Sequence, residues 1–140
     1  MSRVSIVMDS LPENISFARV VIAGFIAPLD PSVEEVSEIK TAVSEAVTNA
    51  IIHGYPTVEG QVRMDLCADG KIVIIKVSDD GVGITDIDTA RQPLFSTKED
   101  MERSGLGFTV MESFMDTVEV QSRPGEGTTI ILTKKLASRV

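Results

Sequence analysis

From Ser32 to about Gly54 the chain spells out one long amphipathic helix, and whatever fold it adopts has to give that helix an apolar surface to cover. Val36, Ile39, Val43, Val47, Ala50 and Ile51 recur at helical spacing. At about 100° per residue they gather within one half of the wheel. Ser32 stands three residues before Glu35, the signature of a capping box, and His53-Gly54 marks the stop. The surface it needs follows directly. Gln61 to Ala68 and Lys71 to Ser78 read as strands joined at Asp69-Gly70, a strong hairpin signal.

The same rules organise the rest. Val4, Ile6 and Met8 alternate with Arg3, Ser5 and Val7 as a weak strand signal ending at Asp9. Ser10-Leu11-Pro12-Glu13 resembles a second capping box and predicts a helix through about Ala27. A polar segment from about Thr85 to Ser104, containing Pro93, is long for a loop in a compact domain and has the character of a lid or binding segment. Leu106 to Met115 reads as a short helix, and Thr117 to Ser122 and Thr128 to Lys134 as strands around Pro124-Gly125-Glu126-Gly127. Met101, Met111 and Met115 read as core filler. The order strand, two helices, two strands, loop, helix, two strands predicts an α+β fold, a sheet covered on one face by helices. At 140 residues, one domain spanning 1–140 is the expectation.

The net charge of −8 argues against a general binder of nucleic acid or anionic membranes, because phosphate backbones are held by Lys and Arg. The longest apolar run, Val20 to Ala27, is far short of the ~20 residues of a membrane span and ends at Pro28. As a signal peptide it would need an acid-free lead, but Asp9 and Glu13 precede it. A single Cys67 permits no internal disulfide, suggests a reducing compartment and reads as a buried structural thiol. A cytoplasmic, soluble protein is expected.

Chemistry concentrates in three places. Glu45 and Asn49, at i and i+4, project from neighbouring points of the long helix, on the side of Glu38 and opposite the apolar half. For the pair alone the plainer reading is a solvated polar face; what counts against it is that Ala46, Val47, Ala50 and Ile51 anchor this turn to the core. Asp79 follows the run Ile72 to Ser78, where the chain leaves the sheet. An acid there can accept a hydrogen bond from an exocyclic amine while Gly81 and Gly83 admit a ligand, although Asp-Gly turns are also common as plain turns. Ser104-Gly105-Leu106-Gly107 opens the short helix, whose first amides can receive phosphate oxygens; Gly-x-Gly by itself is weak. With His53 the only histidine, neither a His/Cys metal cluster nor a Ser-His-Asp triad is expected.

Glu45-x-x-x-Asn49, Asp79-x-Gly81-x-Gly83, Gly105-x-Gly107 and Gly127-Thr128 occur in the order of the motif boxes of the GHKL ATPase and kinase superfamily, which the chain resembles. The closer similarity is to the bacterial anti-sigma serine kinases, and among them to the sporulation branch that acts on sigma F. Glu38 to Thr41, Ala50 to Tyr55, Ala90 to Phe95 and Glu102 to Gly105 support it. The resemblance implies a Bergerat-type α/β sandwich with a mixed, mostly antiparallel sheet and a lid at about 85–104. It implies binding of ATP or ADP with Mg2+, phosphorylation of a serine on an anti-anti-sigma protein, and a second complex in which a sigma factor is held from RNA polymerase. Glu45 would be the general base, Asn49 the magnesium ligand and Asp79 the adenine anchor supported by Thr128. Gly81, Gly83, Gly105 and Gly107 would shape the pocket, Arg103 and Ser104 would lie by the phosphates, and Arg19 would contact protein partners. A homodimer is a further implication, with an exposed strand edge as a candidate contact. Two other readings share the boxes: the ATP-binding domain of a sensor histidine kinase, which needs a phosphoacceptor histidine and helical dimerisation segment upstream, and a nucleotide-gated sigma-binding protein without turnover. Intact Glu45 and Asn49 disfavour the second.

Overall fold

A computed structural model describes residues 1–82 and 106–137. The expected lid, Gly83, Met101, Arg103, Ser104 and Gly105 lie outside the described residues. The elements are β1 (Ser2–Asp9), α1 (Asn14–Ile26) with a short 3-10 turn (Ala27–Leu29), α2 (Val33–Thr48) running on as a π-helical turn (Asn49–Gly54), β2 (Gln61–Asp69), β3 (Ile72–Asp79), α3 (Leu106–Phe114), β4 (Thr117–Arg123) and β5 (Gly127–Lys135). The strands form one sheet in the order β1-β2-β3-β5-β4. All four described pairings are antiparallel, so the expected mostly antiparallel sheet is realised without a parallel pair.

Local signals predicted well where their partners are local. The Ser32 hydroxyl accepts the Glu35 N–H at 3.0 Å and the Glu35 carboxylate accepts the Ser32 N–H at 2.8 Å, closing the capping box of α2. Glu35 also accepts the Ala137 N–H at 2.9 Å, and the Ser32 and Ala137 amides together hold its carboxyl below the usual range. Gly70, at φ 60°, turns the β2–β3 hairpin in a conformation that side chains rarely adopt.

The second capping box does not form. Ser10 continues the β1–β2 ladder instead, its N–H donating to the Gly60 carbonyl at 2.9 Å and its hydroxyl accepting the Gly60 N–H at 2.8 Å. Glu13 occupies the N-cap of α1 without a side-chain bond. Asn14 ties the helix start to the end of β1 by donating to the Asp9 carbonyl at 2.8 Å.

The helices lie on one face, with α2 packed against both α1 and α3. Ile22 and Ile26 of α1, Ile39, Val43 and Val47 of α2, and Phe108 and Met111 of α3 meet Met64, Leu66, Ile75, Ile130 and Leu132 of the sheet in one core. Burying each such side chain is worth roughly 1.5–3 kcal/mol. Met111 and Met115 are core residues, as expected. Cys67 is not the buried thiol expected, since β2 presents it, half-buried, on the sheet face away from the core. No helix among the described residues is long and apolar enough to cross a membrane.

Candidate functional site

The site begins with α2. Ala46, Val47, Ala50 and Ile51 are all buried, which fixes the rotation of the helix and carries Glu45 and Asn49 with it. The solvated-face alternative for this pair fails: Asn49 is 6% exposed and Glu45 half-buried. Burial pushes the Glu45 carboxyl up from the usual range, so it holds a proton more readily than an exposed acid. A methyl group built on Gly107 would stand 3.2 Å from Glu45 Oε2, which places the first turn of α3 directly against this carboxylate.

After Thr48 the helix widens into the π-helical turn, a form that concentrates at functional sites. Asn49 opens it and Gly54 ends it, and Gly54 lies against Asp79. A Cβ at Gly54 would be 2.7 Å from Asp79 Cγ and Oδ1. The Gly54 carbonyl accepts the Val82 N–H at 2.9 Å, and a Cβ at Gly81 would come within 1.8 Å of that carbonyl oxygen. On the other side Gly127, at φ 87°, passes so close that its Cβ would be 2.0 Å from the Asp79 carbonyl oxygen. Gly54 at the end of the π-helical turn, Gly81 just after β3 and Gly127 at the start of β5 thus close around one acid, each at a point where a side chain has no room.

Asp79 itself is 6% exposed. Its Oδ1 accepts the Gly81 N–H at 2.9 Å. Burial pushes its carboxyl up, with a further push from the Asp80 charge, against the pull of the Gly81 and Thr128 amides. Thr128 faces Asp79 across the β3–β5 pair and is 4% exposed; its hydroxyl shares a 2.8 Å hydrogen bond with that of Ser122.

The structure therefore brings Asp79, Gly81 and Thr128 together, sets Gly107 against Glu45, and joins the two groups through the turn that begins at Asn49. Arg19 is elsewhere. Half-buried on α1, it donates to the Ser44 hydroxyl at 2.9 Å and borders a groove of about 290 Å³ with Val33, Val36, Ser37 and Lys40. Sequence reasoning took Gly54 as a helix stop and gave Gly127 no role beyond its turn and motif box; the contacts that matter for both reach across more than twenty residues of chain. The only local hint was a glycine standing beside each element that Asp79 touches.

No group of three or more His, Cys, Asp or Glu among the described residues could hold a metal ion. A carboxamide oxygen is a hard ligand of the kind magnesium takes when phosphates and waters complete its shell. The side chain of Asn49 therefore fits a shared site rather than a cage. A nearly buried acid held by close glycine packing fits a planar base carrying an exocyclic amine, since it offers a strong acceptor in a fixed place.

The model of the histidine kinase-like ATPase domain family matches residues 8–134. The anti-sigma F factor of Bacillus subtilis is 56% identical over 130 residues, covering 92% of this chain and 89% of that protein. Its counterpart in Bacillus licheniformis is 53% identical over 137 residues, 97% of this chain and 94% of that one. Among solved structures, the RsbU and RsbW domains of a Mycobacterium tuberculosis protein match with a TM-score of 0.73 at 19% identity. That match takes in 100% of this chain and 34% of the larger one, and speaks for the fold alone.

Proposed function

Because the chain belongs to the histidine kinase-like ATPase domain family and, within it, to the anti-sigma F factors, we propose that it is an ATP-dependent serine kinase that also sequesters sigma F. Its substrate in this reading is a serine of an anti-anti-sigma protein. The observation that carries the reading is the placement of two acids along one stretch of helix, half-buried Glu45 on α2 itself and Asp79, the last residue of β3, packed against Gly54 where the π-helical turn stops. Asp79 suits a base, Glu45 a hydroxyl that must lose a proton.

When bound, ATP with Mg2+ supplies the phosphoryl group and neutralises its charge. Asp79 would accept a hydrogen bond from the adenine amine, with Thr128 beside it, while Gly81 and Gly107 would shape the pocket by letting the turn and α3 approach closely. Asn49 would lend its carboxamide oxygen to the metal. Glu45 would take the proton from the serine hydroxyl as that oxygen bonds to the γ-phosphorus and the bond to the β-phosphate oxygen breaks. A raised carboxyl pKa suits that role, because the best general base is poised near the working pH. Gly83 and Gly105 would help shape the pocket and Arg103 and Ser104 would lie by the phosphates; all four are outside the described residues.

For the partner surface, Arg19 stands on α1 between Phe17 and Val20, which are 50% and 69% exposed. Large apolar side chains left exposed on the same helix support a protein contact. A homodimer also belongs to this reading. Its support is the sheet face that carries no helix, where Val7 and Ile72 are exposed and Ile74 and Ile131 half-buried.

The test is transfer of the γ-phosphate from magnesium ATP to a purified anti-anti-sigma protein of the same organism. Label on a serine of the partner is the expected result. Confirmed ATP binding with no label would reject the kinase and leave a nucleotide-gated binder of sigma F.

A further inference from the structure

We infer that Tyr55 is a positioning residue for the base pocket, fixing the turn that orients Asp79 and thereby setting nucleotide affinity and the preference for adenine. The inference rests on the reading of Asp79 as the base anchor.

Tyr55 directly follows the π-helical turn, and its hydroxyl is used twice. It donates to the Gln61 carbonyl at 2.7 Å and accepts the Asp80 N–H at 2.9 Å. The first bond ties the end of α2 to the start of β2, and the second ties it to the peptide that joins Asp79 to Asp80. The ring is fixed too. It lies across Gly60 so closely that a Cβ there would be 2.2 Å from Tyr55 Cε1. Gly60 is in turn held by Ser10, through a bond in each direction. A chain of contacts thus runs from β1 through Gly60 and Tyr55 to the acid.

The Asp79–Asp80 peptide sits between the anchor and the amide that the anchor accepts from, Gly81 N–H. If Asp80 N–H loses its acceptor, that peptide loses one of its restraints and the Asp79 carboxylate holds its direction less tightly. Hydrogen bonds discriminate only when their direction is fixed. An adenine presents an amine where guanine presents a carbonyl oxygen, so a carboxylate held in place favours the first and repels the second. Glu45 on α2 and Asn49 at the start of the π-helical turn lie upstream of this hydroxyl, whose bonds go to Gln61 and Asp80.

The experiment is Tyr55→Phe, which keeps the ring against Gly60 and removes only the oxygen. Titration calorimetry with ATP and with GTP, and steady-state kinetics with the anti-anti-sigma substrate, are the readouts. The expected result is ATP binding about five- to tenfold weaker, a KM for ATP raised to match, kcat at saturating ATP kept, and a narrowed ATP-over-GTP ratio. Amide exchange at Asp80, measured by NMR, should quicken in the variant. ATP bound as tightly by Tyr55→Phe as by wild type would overturn the inference. So would a fall in kcat and thermal stability with affinity and selectivity unmoved. Failure of the wild-type protein to bind ATP would instead reject the nucleotide reading, and this inference with it.

Discussion

Replacing Gly54 by alanine adds one methyl group to the joint between the helix and the base pocket. That methyl would lie 2.7 Å from both Cγ and Oδ1 of Asp79, about 0.7 Å inside the 3.4 Å edge of ordinary contact. Something must give. If the carboxylate turns aside, it leaves the Gly81 N–H at the cost of a hydrogen bond to a charged group, about 1.5–3 kcal/mol. If instead the helix end withdraws, the bond from Val82 N–H to the Gly54 carbonyl stretches and the neighbouring core is overpacked, about 1–3 kcal/mol. Either route predicts a thermal midpoint lowered by about 4 °C per kcal/mol. Only a carboxylate moved off its line also loses its bond to the base, which weakens ATP binding by about 10- to 100-fold. Calorimetric titration with ATP and a thermal melt separate the two routes. Gly24→Ala is the internal control, since nothing lies within 4 Å of the methyl it would add on α1; a helical glycine replaced by alanine should gain about 0.5–1 kcal/mol without touching the site. Wild-type ATP affinity together with an unchanged thermal midpoint in Gly54→Ala would refute the reasoning.

Asp79→Asn should weaken ATP binding at least about tenfold while keeping or raising thermal stability at neutral pH. The raised Asp79 pKa means the folded state binds the proton more tightly than the unfolded chain. Its contribution to stability is therefore complete below the ordinary carboxylate value and is lost as pH rises through the raised one; melts of both proteins across that window should show the variant's advantage growing with pH. Glu45, raised by burial in the same direction, predicts that phosphoryl transfer falls away on the acid side as its carboxylate takes up a proton, read from a kcat profile against pH. Ser32→Ala removes one half of the α2 capping box and should cost about 1 kcal/mol in urea unfolding, with the KM for ATP unchanged.

What the sequence made legible was whatever its own neighbourhood decides. The α2 capping box involves residues three apart, and the Asp69-Gly70 turn adjacent ones, so both could be read directly. The capping box at Ser10 used the same signature and failed, because Gly60, fifty residues on, competes for the hydroxyl. The pairing of β5 with β3 has no local signature either, since it joins residues as far apart in the chain as Asp79 and Thr128. The site divides the same way. Glu45, Asn49 and Asp79 were visible as residue types at suitable spacing, whereas Gly54 and Tyr55 act through contacts across the fold and looked like a helix stop and its successor. The π-helical turn that brings Gly54 to Asp79 has no spacing of its own to read.

The central claim is that one helix serves two separable tasks, holding nucleotide and activating a serine. The most direct test measures ATP affinity and phosphoryl transfer to the anti-anti-sigma protein side by side for wild type and Glu45→Ala. The account predicts ATP bound within about threefold of wild type and transfer reduced by about 100-fold or more. Equal transfer by the two proteins would contradict it.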